Sequence, residues 1–261
     1  MIRLQFERVT KSFPPQRRGG EGVIAITDVD VRVEEGEVVA LIGPSGCGKS
    51  TLLNLASGLD RPSRGRVFVD GAEVTGPNSH VAFMLQRDLL LPWRSILDNV
   101  TFGQEIQHVE KEKRRQIARR LLDKYHLGEF VSHFPHQLSG GMRQRAALAR
   151  TMAMDPAVLL LDEPFSALDA QTKMVLQQDL ARTLWEEKKT AFLITHDLTE
   201  ALALADRVLV MSRRPGRIVR EIVVGLPDRN NPMVRRQRPE IGKLMAELMS
   251  LLDIGADHLD G

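Results

Sequence analysis

An α/β domain with a helical lobe set into it is what this sequence predicts, on three observations. A short apolar run, Val38–Ile42, leads straight into a glycine-rich loop and then into a helix-compatible stretch, the opening unit of a nucleotide-binding α/β fold. Short β-branched and apolar runs cluster in residues 2–86 and again after Val158, as the buried strands of a parallel sheet do. The residues between the two clusters have mostly helical spacing instead.

The elements follow in order. Ile2–Val9 and Val29–Val33 alternate and read as strands, with a polar loop, Pro14–Gly22, between them. Gly36-Glu37 turns the chain into Val38–Ile42, and Lys49–Ser57 reads as the helix after the glycine loop. Val67–Val69, closed by Asp70-Gly71, and Val81–Gln86 are further strands. Glu110–Leu127 is a helix with Ile117, Leu121 and Leu122 on one side, and Gly140–Ala153 is another. Val158–Leu161 and Ala191–Thr195 are buried strands separated by a helix over Gln171–Glu186. Val208–Met211 and Ile218–Val224 are expected as edge strands. Beyond Gly225, Arg229, Arg235, Arg236 and Arg238 mark a basic, irregular connector. Ile241, Leu244, Met245, Leu248, Met249 and Leu252 then fall on one face of an amphipathic helix after Pro239. That helix is expected to pack on its own domain, because its polar face has little of the basic charge a membrane-lying helix carries.

Bulk composition narrows the function classes. Of 261 residues, 43% are hydrophobic and 27% charged, as in an ordinary soluble domain. The 36 basic residues nearly balance the 34 acidic ones, and a net charge of +2 gives no support to a nucleic-acid partner. The single cysteine, Cys47, excludes an internal disulfide. Met1–Thr10 reads as a strand and not as a signal peptide, and no apolar run approaches the ~18 residues of a spanning helix. Work at a membrane would therefore go through a partner.

Gly43-Pro44-Ser45-Gly46-Cys47-Gly48-Lys49-Ser50, followed by Thr51, fits the P-loop pattern at every position. Glycines let successive backbone N–H groups turn toward phosphate oxygens, and the helix start adds its positive end. Lys49 can reach the β- and γ-phosphates, and the Ser50 hydroxyl can ligate Mg²⁺. Cys47 reads as a small filler within the loop. Val158–Leu161 ends in Asp162-Glu163. Asp162 is placed to hold the magnesium shell. Glu163, expected on the opposite side by strand alternation, is placed to orient the attacking water. Ala191–Thr195 ends in His196, which can donate a hydrogen bond beside the γ-phosphate. Gln86, at another strand end, offers an amide to magnesium or water.

Leu138-Ser139-Gly140-Gly141-Met142-Arg143-Gln144-Arg145 supplies a second anion site, a Ser-Gly-Gly turn opening a helix. One P-loop needs no second phosphate site in the same chain, but a second copy does. The expectation is a two-fold homodimer in which Ser139–Gly141 closes over nucleotide held by the partner's P-loop.

With these residues in view, the chain resembles the ATP-binding subunits of ABC transporters, from about the first strand to about Gly225. Gly43–Thr51 is similar to the Walker A motif, Val158–Glu163 to Walker B and Gln86 to the Q-loop. Leu138–Gln144 is similar to the signature motif, Ser166–Asp169 to the D-loop and His196 to the switch histidine. Phe13 falls where the family sets an aromatic against adenine. The resemblance implies a P-loop core with a mixed sheet, an N-terminal antiparallel β part and an inserted helical subdomain. It implies an ATP-binding domain over 1–225, with core 1–86 and 156–225 and helical subdomain 87–155, and a connector and helix over 226–261. It also implies ATP and Mg²⁺ as cofactors, with Lys49, Gln86, Glu163 and His196 in catalysis and Ser50, Gln86 and Asp162 at the metal. Asp169 joins Ser139–Gly141 at the shared nucleotide site. The implied partners are two transmembrane permease subunits and an extracytoplasmic solute-binding protein, with the chain at the cytoplasmic face of the membrane.

Leu90–Trp93, Leu97–Val100, Phe165–Thr172 and Met211–Ile218 resemble the nitrate, sulfonate and taurine importer branch, and the tail is too short for the regulatory domain of the sugar-importer ATPases. Trp93 reads equally as an exposed anchor for a permease or as a buried core residue. Two alternatives remain: a motor for a non-import membrane process, and a soluble ABC ATPase. The latter loses ground because the stretch from Lys49 to Ser139 has no heptad run of a DNA-repair coiled coil.

Overall fold

The computed structural model describes residues 1–15 and 22–252. Two sheets lie against each other. The smaller has the order β2-β1-β4-β5 and is antiparallel: β1 is Ile2–Phe13, β2 Val23–Glu34, β4 Arg64–Val69 and β5 Ala72–Glu73. The larger adds β3 (Val38–Ile42), β6 (Val81–Met84), β7 (Val158–Asp162), β8 (Thr190–Ile194), β9 (Arg207–Met211) and β10 (Ile218–Val223). Its order is β10-β9-β3-β8-β7-β6, with five parallel strands and β10 antiparallel on β9.

The apolar runs are explained by burial on both faces. Every residue of β3 and β8 is buried. Within β3, Val38, Ala40 and Ile42 join the core under the helices, while Val39 and Leu41 join the core under the antiparallel sheet. Leu159 and Leu161 against Val158 and Leu160 repeat this two-sided alternation in β7.

Helix α1 (Lys49–Ala56) follows the glycine loop. The lobe between β6 and β7 contains α2 (Ile96–Ile106), α3 (Lys111–Lys124) and α4 (Gly140–Met152). Helix α2 starts where the Ser95 hydroxyl accepts from the Asp98 N–H at 3.1 Å. Helices α5 (Ala170–Glu186), α6 (Leu198–Leu204), α7 (Pro232–Arg235) and α8 (Glu240–Leu251) complete the chain.

Three expectations change. The first two strands are longer than their alternation suggested, so β1 reaches Phe13 and β2 begins at Val23; residues 16–21 of the polar loop lie outside the described residues. Of the two strands expected at an edge, β10 is one and β9 is not, because β9 pairs with β3 on its other side. Three of the four arginines expected in an irregular connector are docked on the domain, and Arg238 pairs with Asp228 within the connector. Arg229 bonds Asp206 and the Gly36 carbonyl, Arg236 bonds Gln177, and Arg235, 1% exposed, reaches the Ala203 carbonyl. Burial pushes the Arg235 guanidinium down to about 10. Helix α8 packs on the domain with Ile241 and Leu248 buried and Leu244 and Met245 half-buried against the core, while Met249 stays exposed; residues 253–261 lie outside the described residues. Among the described residues no helix is long and apolar enough to cross a membrane.

Candidate active site

The phosphate loop is fixed by what presses on it from below. Gly48 has φ 108°, and a Cβ there would stand 2.4 Å from Ile26 Cγ2 and 3.1 Å from the Ala25 carbonyl. Strand β2 therefore lies directly under the loop, and glycine is required both for space and for backbone angle. Cys47 is 1% exposed and belongs to the core under the antiparallel sheet, and burial raises its thiol pKa. The Lys49 ammonium donates to the Gly43 and Pro44 carbonyls at 2.7 and 2.9 Å, so it lies along the loop it is expected to serve.

A cleft of about 810 Å³ opens above the loop. Ser45, Gly46 and Gly48–Thr51 form its floor, with Glu163 and Arg214 at its sides. Phe13, Pro14, Pro15, Val23 and Ala25 form an apolar wall at the other end. Phe13 is 40% exposed at the cleft, with the Lys11 ammonium over its ring 5.0 Å from the centroid, so the cleft wall presents aromatic surface to a base.

Strand ends bring the polar groups together. Asp162 closes β7, and its Oδ1 accepts from the Ser50 hydroxyl at 3.5 Å. Burial raises the Asp162 pKa, opposed by the Ser50 hydrogen bond and the Lys49 charge and reinforced by Glu163. Glu163 comes after the strand, so alternation is not what aims it. Its φ is 45°, and its N–H donates to the Ile194 carbonyl on β8 at 2.9 Å. This turn sends the carboxylate to His196, whose Nδ1 lies 3.1 Å from Glu163 Oε2. Gln86 Nε2 lies 3.4 Å from the same oxygen and donates to Ser166 Oγ at 3.1 Å. Ser166 in turn donates to the Glu163 carbonyl at 3.0 Å.

Ser139, Gly140, Gly141 and Asp169 stand apart from this cleft within one chain. Ser139 caps α4 by accepting from the Met142 N–H at 3.3 Å. A Cβ on Gly141 would meet Thr172 Cγ2 at 2.3 Å, which sets the start of α4 tightly against the start of α5. Gly140 borders a different groove, with Gln86, Arg143 and Leu168. Asp169 caps α5 through the Thr172 N–H at 3.0 Å, a bond that holds its carboxyl below the usual range. Arg214 is a cleft residue that sequence reading missed. Its only signal was the Arg213-Arg214-Pro215-Gly216 segment, which resembled a branch of importers and carried no chemical pattern.

A glycine loop under a helix start, with a half-buried carboxylate and a polar cluster at neighbouring strand ends, defines a P-loop nucleotide hydrolase. The chain belongs to the ABC transporter family, whose model matches residues 26–166. It is 46% identical over 222 residues to an uncharacterized ABC transporter ATP-binding protein of Methanocaldococcus jannaschii, covering 85% of this chain and 82% of that one. Taurine import ATP-binding protein TauB of Yersinia pestis is 44% identical over 80% of this chain and 82% of its own. Nitrate import ATP-binding protein NrtD of Synechocystis sp. is 43% identical over 88% of each. Among solved structures, a dimeric bacterial ABC transporter cassette aligns with a TM-score of 0.75 at 32% identity, covering 85% of this chain and 98% of that one. A dimeric post-hydrolysis cassette bound to ADP and Pi aligns with 0.74 at the same identity and coverage. The fold is thus that of an ABC ATPase, and the chain is an ATP-binding, ATP-hydrolysing subunit of that class.

Proposed function

We propose that this chain is the motor subunit of an importer for a small solute such as nitrate, a sulfonate or taurine. It works as a homodimer under two permease subunits at the cytoplasmic face of the membrane, with an external solute-binding protein delivering the cargo. The taurine and nitrate import relatives support the importer role. Their near-equal identities point to no single solute, consistent with partners choosing the cargo. Trp93, 72% exposed, with Leu89 at 52%, offers an apolar anchor for a permease beside Gln86.

The observation that carries the catalytic reading is the junction at Glu163. Its carboxylate is held by His196 and Gln86 at the edge of the cleft floored by the P-loop. Phe13 takes the adenine, and the N–H groups of 43–51 with Lys49 take the phosphates. Glu163 orients water toward the γ-phosphate, and His196 holds Glu163 and donates beside the transferred group. Ser139–Gly141 and Asp169, remote from the cleft in one chain, close over nucleotide bound to the partner.

The residues present fit Mg²⁺. Asp162 and Ser50 offer only oxygen, and burial makes a free Asp162 carboxylate costly. Among the described residues no group of three or more His, Cys, Asp or Glu makes a metal cage; an ion shared with substrate phosphates needs only one or two carboxylates. Ser50, Asp162 and Gln86 would hold the ion, which supplies charge neutralisation to the phosphates.

Glu163→Gln tests the reading. The variant should bind ATP normally, accumulate as a closed dimer and turn over more than about 100-fold slower. Normal hydrolysis would remove Glu163 from its role.

A further inference from the structure

The segment between β9 and β10 lies across the phosphate loop and is tied to it. The Gly216 N–H donates to the Ala25 carbonyl at 2.9 Å, and the Thr27 N–H donates to the Gly216 carbonyl at 3.0 Å. A Cβ on Gly216 would stand 2.1 Å from the Cys47 carbonyl, so the strap touches the loop backbone itself. Two residues earlier, Arg214 reaches over the loop. Its Nε and Nη2 both donate to the Gly46 carbonyl, at 3.1 and 2.9 Å. Among the described residues this carbonyl is its only hydrogen-bond partner, and its side chain borders the nucleotide cleft.

A P-loop binds phosphate because its N–H groups converge, which requires its carbonyls to face away. Gly46 has φ 74° and no side chain to hold its peptide in place. The fork of Arg214 holds that carbonyl from a separate element. It also leaves a full positive charge on the cleft wall, where the triphosphate brings several negative ones.

We infer that Arg214 is a positioning residue of the nucleotide site: its guanidinium clamps the Gly46 carbonyl and sets the affinity of the P-loop for nucleotide phosphates. The inference rests on the nucleotide reading of the cleft and is independent of the roles given to Glu163 and His196. The strap makes nucleotide affinity sensitive to a loop far from the P-loop in sequence.

The experiment is a titration of the isolated chain with a fluorescent ATP analogue and with ADP, both with magnesium. Arg214→Ala should weaken both roughly tenfold, the scale of a lost charge-assisted hydrogen bond. The melting midpoint of the nucleotide-free variant should stay within about 2 °C of the parent. Turnover at saturating ATP should stay within about twofold, so that the loss falls on KM. Arg214→Lys, which keeps the charge and loses the two-donor fork, should recover only part of the affinity. Unchanged affinity in Arg214→Ala overturns the inference, as does a fall in kcat with affinity intact or full recovery by lysine. A Lys49→Ala variant that binds normally would undo the reading of the cleft itself, a distinguishable failure.

Discussion

Glu163 carries its carboxylate on a backbone that a non-glycine residue rarely adopts, φ 45°, and the bond from its N–H to β8 keeps it there. Such a conformation costs on the order of 1–3 kcal/mol, and here it turns the side chain toward His196 and Gln86. Cys47 shows the opposite economy, a side chain inside the motif whose work is packing. It is 1% exposed among Ile26, Leu52 and Met211. Burial raises its pKa, so the reactive thiolate is scarcer at neutral pH than for a free thiol, and the gap closes as pH rises. A maleimide should therefore label native protein at pH 7 at least about tenfold more slowly than unfolded protein, and Mg·ATP should slow it further. Labelling at the unfolded rate, indifferent to nucleotide, would take Cys47 away from the underside of the phosphates. The residues with a chemical pattern, from Gly43 to Thr51 and at the tips of β7 and β8, were legible from sequence because their chemistry is local. Arg214 was not legible, because its partner, the Gly46 carbonyl, is a backbone group that leaves no trace in composition.

Elements were readable where periodicity was strong and unreadable where other forces set them. The runs of β3, β7 and β8 are buried on both faces and appear as unbroken apolar sequence. Helix α2 escaped because Asn99, Thr101 and Gln104 sit on its buried side and break the apolar stripe; Asn99 bonds the Leu91 N–H and carbonyl. Helix α6 escaped because seven residues give too few turns for a period to show. What α6 does is tie His196 to α5. The Lys173 ammonium on α5 lies 2.8 Å from Asp197 Oδ2 and 3.0 Å from Glu200 Oε2, and Asp197 caps α6 next to His196. Burial works against the Lys173 charge, but the two carboxylates outweigh it and raise its pKa, while burial raises that of Glu200. Lys173→Met would leave Glu200, whose side chain is 2% exposed, without its cation. The loss should be about 2 kcal/mol at pH 8. It should shrink as pH falls, because an unpaired Glu200 with a raised pKa takes up a proton and sheds its buried charge. Denaturant melts at pH 8 and pH 5.5 measure this, and a loss that grows toward low pH contradicts it. Turnover should fall more than ATP affinity, because His196 rides on the loop that Lys173 anchors.

At the scale of the whole molecule, one chain presents two glycine-rich helix starts that do not meet. Helix α1 opens on the cleft, while α4, capped by Ser139, starts against α5 and borders a groove of its own. Gly141, tight on Thr172, and Ser166, bonded to the Glu163 carbonyl, connect this second start to the Glu163–His196–Gln86 cluster through the Ser166–Asp169 turn. A partner's triphosphate placed on Ser139–Gly141 would therefore press on the segment that holds Glu163. Binding energy available only in the closed pair is lost when the γ-phosphate leaves, which is how a homodimer would convert hydrolysis into opening. Ser139→Arg separates this from a self-sufficient site. It removes one N-cap, about 1 kcal/mol of local stability, and puts bulk where the partner's phosphate would lie. ATP should bind the single chain with unchanged affinity, since no residue of its own cleft has changed. Sedimentation should detect no ATP-dependent dimer of the variant, and hydrolysis should fall to near background. Full activity in that variant would mean that each chain completes its own site and that nucleotide does not bridge the pair.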